Sequence, residues 1–147
     1  MKYLLAAVVL AVAGFGAWVR LAPTPAARWQ VDPETAPAPG IGGFRQTLDL
    51  AAPPRTVLEK LDAVARSTPR TRRIAGSIKE GRLTYETRSR LWRFPDYTTV
   101  QAVPSGNGTR LTILGRLRFG RGDLGVNRAR IRRWIKDAEL VPDPVVE

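Results

Sequence analysis

The side chains able to do chemistry in this chain are carboxylates, arginines, a few lysines and tyrosines. Cys and His are both absent. That excludes thiolate nucleophiles, disulfides, Cys/His zinc sites, a histidine general base and the Ser-His-Asp triad. Two acids stand in motif-like settings: Asp96 in Phe94-Pro95-Asp96, and Asp123 in Gly122-Asp123-Leu124-Gly125. A carboxylate pair can perform glycosidic acid/base work. Arg118 and Arg130 close by would keep such acids ionised and spoil one of them as a proton donor. There is no Gly-rich phosphate loop with a Lys and no metal-ligand cluster. The residues favour a binder with no catalytic residue, metal or cofactor. A carboxylate/arginine-based enzyme of the cell envelope, substrate unknown, is the alternative.

Arginine is the abundant chemical group. The net charge is +11, and Arg outnumbers Lys 20 to 4. From Phe44 to Leu140 there are 21 Lys/Arg against 9 Asp/Glu. Such a surface attracts anionic lipid headgroups, nucleic acid or acidic proteins. A GC-rich genome produces the same bias without selection for binding.

These groups must be carried by elements that the hydrophobic pattern predicts. Tyr3 to Val19 form 17 residues without a charge, between Lys2 and Arg20. As a helix they span about 25 Å, and the flanking charges can snorkel across a slightly thicker hydrocarbon layer. Residues 1–20 are expected to be a transmembrane anchor. A cleaved signal peptide is the rival, but its apolar region would be unusually long, and Pro25-Ala26-Ala27 is a poor cleavage site. The charges flanking the segment nearly balance. The very short charged head favours export: a single-pass protein of the inner (cytoplasmic) membrane with its soluble domain in the periplasm. Residues 21–43 hold five prolines and end in glycines, the composition of a linker.

A single α+β domain is expected over 44–140, followed by a tail, 141–147. Phe44–Leu50 suits a strand. Pro53-Pro54 opens a helix to about Arg66, with Val57, Leu58, Leu61, Val64 and Ala65 on one face. Strands follow over 71–78, 82–91, 97–103 and 109–119, with turns at Lys79-Glu80-Gly81 and Ser105-Gly106-Asn107-Gly108. A last helix covers about 124–140. The order β-α-β-β-β-β-α, without crossovers between the hairpins, implies one small antiparallel sheet with two helices on one face. At the level of element order this resembles a reduced helix-grip or TATA-box-protein-like sheet.

Strand alternation then sorts the arginines. Leu111, Ile113, Gly115, Leu117 and Phe119 share one face, and Arg110, Thr112, Leu114, Arg116 and Arg118 the other. In 82–91 the polar set is Arg82, Thr84, Glu86, Arg88 and Arg90. With helices on the apolar face, the opposite face is expected to be basic, relieved mainly by Glu86. A polar, water-facing side is also what any antiparallel sheet shows.

Asp123 suits an N-cap of the last helix. Asn127 falls on that helix's core-facing stripe, four before Ile131 and seven before Trp134. A buried amide left unpaired costs about 1–3 kcal/mol, so Asn127 needs partners from the strand–helix loop or from a ligand. The candidate ligand-binding set is Arg88, Arg90, Asp96, Arg116, Arg118, Asp123, Asn127 and Arg130. The expected partners are the membrane, through residues 3–19, and an anionic lipid or acidic envelope protein. Nucleic acid is disfavoured by the tether and by the lack of paired aromatics on the open face.

At Arg118, Gly120, Asp123, Gly125, Val126, Asn127, Arg128 and Arg130 the sequence resembles the bacterial and plastid family called domain of unknown function 1499. Its signature has an Arg, a Gly and then Asp-x-Gly-Val-Asn-Arg-x-Arg opening the last helix. Phe94-Pro95-Asp96 matches a second element. The resemblance covers roughly 44–140. The chain departs from the pattern in lacking an N-terminal Cys-Pro segment, and in having Arg121 and Gly122 where an aromatic and Ser are common. The family has no established activity, so the resemblance implies a fold and a region of interest, and no reaction.

Overall fold

Alternating side chains and glycine-bearing turns draw the middle of the chain into a meander. The computed structural model describes residues 1–120, 122 and 124–142. Strands β1 (Phe44–Leu50), β2 (Thr71–Ser77), β3 (Arg82–Arg88), β4 (Pro95–Ser105) and β5 (Gly108–Leu117) form one sheet in the order β1-β5-β4-β3-β2. Every pairing is antiparallel. Gly106, at φ 54, makes the tight β4–β5 turn, a backbone conformation that costs glycine little. Helix α3 (Pro54–Ser67) and helix α4 (Val126–Asp137) lie on one face. The α+β class, element order and helix placement are those expected from the sequence.

The helix-covered face is the core. Leu83, Tyr85, Val100, Ala102, Leu111 and Ile113 of the sheet meet Val57, Leu58, Leu61 and Ala65 of α3 and Ile131 and Trp134 of α4. Tyr85 and Trp134 pack edge to face at 5.4 Å. Their polar ends are satisfied within the core wall. Tyr85 Oη donates to Asp62 Oδ1 at 2.8 Å, and Trp134 Nε1 donates to Thr68 Oγ1 at 2.9 Å. Burial, reinforced by the Asp62 carboxylate, pushes the Tyr85 hydroxyl far above its ordinary pKa.

Some boundaries differ from the expected ones. β3 stops at Arg88, because Ser89 N donates to Phe94 O and Ser89 Oγ accepts from Phe94 N, closing the loop there. Arg90 therefore lies in an exposed loop and not on the sheet. β5 ends at Leu117, so Arg118 follows the strand. α4 begins at Val126, after Gly125 in the left-handed conformation at φ 82. The expected cap, Asp123, lies outside the described residues.

The N-terminal apolar run is helix α1 (Lys2–Leu21), 20 residues whose most apolar 18-residue window has mean hydropathy 2.1. By length and composition it could cross a membrane, and only 6% of its most apolar window is buried, so it is not a core helix. The segment after it does not hang free as a linker. It crosses the sheet face opposite the helices, beginning with a short helix α2 (Ala26–Trp29).

The core makes a direct prediction. Asp62→Ala removes the acceptor of a buried hydroxyl and should lower unfolding stability by about 1–3 kcal/mol in urea denaturation. Arg55→Ala removes only an exposed i,i+4 pair with Glu59 and should leave the midpoint unchanged.

Candidate functional site

Residues 22–43 form a strap, and the chemistry of prolines explains how it is held. A proline-rich strap offers carbonyls with few N–H groups, while arginines offer donors and no acceptor. The two match. Arg116 Nη2 donates to Trp29 O at 2.6 Å, and Thr99 Oγ1 donates to the same carbonyl at 2.8 Å. Arg45 Nη2 donates to the carbonyls of Ala36 and Pro37. Trp29 stacks on Tyr97 at 3.9 Å, with the Arg116 guanidinium 5.0 Å from its ring centre. Gln30 takes the Thr84 hydroxyl. Asp32 Oδ2 accepts from Arg82 and from Gln101, each at 3.2 Å. Burial would raise the Asp32 carboxyl. Hydrogen bonds from Glu34 N, Gln101 and Thr35 N, with the Arg82 charge, hold it below its ordinary value.

The sheet face expected to be bare and basic is therefore largely covered. Arg82, Arg110 and Arg116 are spent on the strap or on Asp49 and Glu34. Two cavities remain: one of about 840 Å³ along the strap, lined by Trp29, Ile41 and Arg116 among others, and one at the root of α1. There Arg20, Arg70, Arg72, Arg88 and Arg93 line a cavity of about 460 Å³ with Glu86 among them. Glu86 is 1% exposed. Its carboxylate accepts from Arg88 Nε at 2.8 Å, Arg72 Nε at 3.2 Å, Thr24 Oγ1 at 2.6 Å and Tyr97 Oη at 3.3 Å. Burial alone would raise its pKa, but the bonds from Thr24, Arg88 and Arg72 and the Arg88 charge bring it below the ordinary carboxylate value. Arg88 also reaches Val19 O at 3.4 Å and Arg93 O at 3.2 Å, so one side chain joins the end of α1, the sheet and the β3–β4 loop. Arg70 and Arg93 both have left-handed backbones, φ 60 and 62. That conformation costs about 1–2 kcal/mol for a residue with a Cβ.

Of the eight residues singled out in the sequence, the seven that are described lie at different places. Arg88 belongs to the pocket. Arg116 anchors the strap, and Arg118 reaches Tyr97 Oη at 3.3 Å while lying over the Phe119 ring. Arg90 sits on the exposed loop. Asp96 and Arg130 form an ion pair at 2.9 Å on the helix side of the sheet, joining β4 to α4. Asn127 is fully buried, donates Nδ2 to Gly42 O at 3.0 Å, and packs where a Cβ on Gly115 would stand 3.0 Å from its Oδ1. Gly115 is therefore the space Asn127 occupies. Asp123 lies outside the described residues.

The sequence reading missed Arg20, Arg70, Arg72 and Arg93, which lie on different elements. It also missed the strap. Trp29 was the available signal: a large aromatic amid Pro, Ala and Gly has area to bury.

A family model described as protein of unknown function DUF1499 matches residues 21–137. The chain belongs to that family. The match takes in residues 21–43 as well as the sheet and helices, in keeping with the strap being packed on the sheet. No curated protein matches the chain. Among solved structures, protein MLL2253 from Mesorhizobium loti is similar at TM-score 0.50 and 10% identity, covering 66% of this chain and 93% of that one. Protein CV1439 from Chromobacterium violaceum aligns at TM-score 0.35 and 15% identity, covering 67% and 93%. A protein from Thermus thermophilus, TTHA0849, aligns at TM-score 0.32 and 14% identity, covering 66% and 88%. The first likeness shows the fold, and at such identity nothing more.

Two outcomes follow from this geometry. Because the folded Glu86 carboxyl titrates below its unfolded value, its contribution is full above the unfolded pKa, about 4.3, and is lost as pH falls through the folded one. Glu86→Gln should therefore be less stable than the parent at pH 7, and the gap should narrow on acidification in a series of denaturation curves. Asn127→Leu loses the bond to Gly42 and should cost about 1–3 kcal/mol by the same measurement.

Proposed function

We propose that this protein is a non-catalytic, membrane-tethered module that takes an anionic, phosphate-bearing headgroup in the arginine pocket at the root of α1. The observation that carries the reading is the placement of five arginines around one cavity whose edge includes Arg20, at the C-terminal end of the apolar helix. With α1 spanning a bilayer, Arg20 falls at the surface and the pocket at headgroup level. Guanidinium forks suit bidentate contact with phosphate, and each basic side chain near an anionic surface contributes about 1 kcal/mol. Glu86 cancels only part of the charge, and its own partners keep it in place.

The binding reading is preferred to an enzymatic one on protonation grounds. A general acid needs a carboxyl held protonated, and Glu86 is pushed the other way. The apolar run of α1 between Lys2 and Arg20 supports an anchor in the inner membrane, with the domain read as periplasmic.

Two measurements test this. The full chain should resist carbonate extraction from membranes, and a phosphatase fused after Glu147 should be active in the periplasm. Release by carbonate, or a mature chain starting near Arg28, would reject the anchor. In nanodiscs the full chain should melt higher with anionic than with zwitterionic lipid, by a margin that shrinks with salt. Arg70→Gln with Arg93→Gln should abolish the margin while leaving the Glu86 pairs in place. An unchanged margin in that double variant would reject the pocket.

A further inference from the structure

The two ends of the sheet differ in a way that the pocket does not explain. One end carries the Lys79–Gly81 and Ser105–Gly108 turns, both polar. The other carries the β3–β4 loop, the β5–α4 loop and the entry to β1. There Leu91 is 75% exposed, Trp92 47%, Leu124 105% and Ile41 83%. Outside residues 1–21, the exposed large apolar residues among those described lie at this end, apart from Val141. Both loops also place a non-glycine residue in the left-handed region beside the apolar tip, Arg93 at φ 62 and Leu124 at φ 52. Such backbone is uncommon for side chains of this size and collects at functional segments.

The same end touches α1. Phe94 packs on Phe15 at 6.2 Å and Phe119 on Trp18 at 5.4 Å, and Phe94 and Phe119 meet at 6.0 Å. Phe15 lies six residues before the end of the helix, about 9 Å down its axis. The loops thus reach past the end of the helix, alongside its last apolar turns. A surface continuous with a membrane helix at that depth meets lipid. Arg90 and Arg93 flank Leu91 and Trp92, the pattern of an interfacial segment whose apolar tip enters the acyl boundary while its charges stay among headgroups.

We infer that this end of the sheet is a second membrane contact, with Leu91, Trp92 and Leu124 inserted at the boundary of the bilayer that α1 crosses. The inference rests on α1 being a membrane span. It would hold the domain upright on the membrane and turn the arginine pocket toward the headgroups.

Because the chain has no Cys, single cysteines report one site each. Full-length Val8→Cys, Leu91→Cys, Leu124→Cys and Asn107→Cys, each carrying an environment-sensitive fluorophore in proteoliposomes, should be probed with nitroxide on the acyl chains. Val8, Leu91 and Leu124 labels should be quenched, and the Asn107 label, at the opposite end, should not. Quenching at Val8 with Leu91 and Leu124 behaving like Asn107 would overturn this inference and leave the anchor standing. An unquenched Val8 label would overturn the anchor itself. A label-free check compares parent and Trp92→Phe in brominated lipid: the variant should lose a quenched component, and equal quenching of both would count against insertion.

Discussion

One buried carboxylate organises this molecule. Glu86 stands on β3, on a sheet face rich in arginine, and almost none of it reaches water. A buried charge persists only with partners, and each partner of Glu86 comes from a different place: Thr24 from the strap, Arg72 from β2, Arg88 beside it on β3 and Tyr97 from β4. Arg88 extends the connection to the last turn of α1 through Val19 O. A single negative charge therefore links the start of the strap, and through Arg88 the end of the N-terminal helix, to the sheet. Without it the neighbouring guanidiniums would repel one another.

The strap explains what the arginines on the sheet are for. A polar sheet face can be left to water, or it can be covered by chain whose own polar groups need partners. Here proline removes N–H groups from the strap, and arginine, threonine and asparagine side chains supply donors to its carbonyls. Most of the face is spent in this way. Part of the remaining positive charge lies where α1 meets the sheet, around the Glu86 pocket. Charge that is surplus to internal pairing is the part of a basic surface available to an outside anion.

The signature residues around α4 serve a related purpose. Asn127 fills the space left by the missing side chain of Gly115 and holds Gly42, the end of the strap. Arg130 ties the helix to Asp96 at the start of β4. These contacts fasten β1, β4, β5 and α4 beside the loops that meet α1. Two residues of the family signature, Asn127 and Arg130, thus fasten the last helix to the strap and to the sheet.

Much of this was legible in the sequence, because period-two and period-3.6 patterns are local. The alternation in 82–91 and 109–119 placed Leu83, Tyr85, Leu111 and Ile113 on one face and the arginines on the other, and both helices followed from their apolar spacing. The spacing of Asn127 from Ile131 and Trp134 likewise placed it inside. The absence of Cys and His bounded the chemistry without any structure. What the sequence could not decide was long-range pairing between charged or polar side chains and backbone carbonyls. Strand periodicity extended Arg90 onto the sheet, because it carries no information about where Ser89 and Phe94 close the loop. Proline and glycine in 21–43 mark irregular chain, and irregular chain can either swing free or be pinned. The choice depends on donors from residues up to 87 positions away, as between Arg116 and Trp29. Arg20, Arg70, Arg72 and Arg93 come together for the same reason: tertiary packing, and not local pattern, sets which like charges become neighbours.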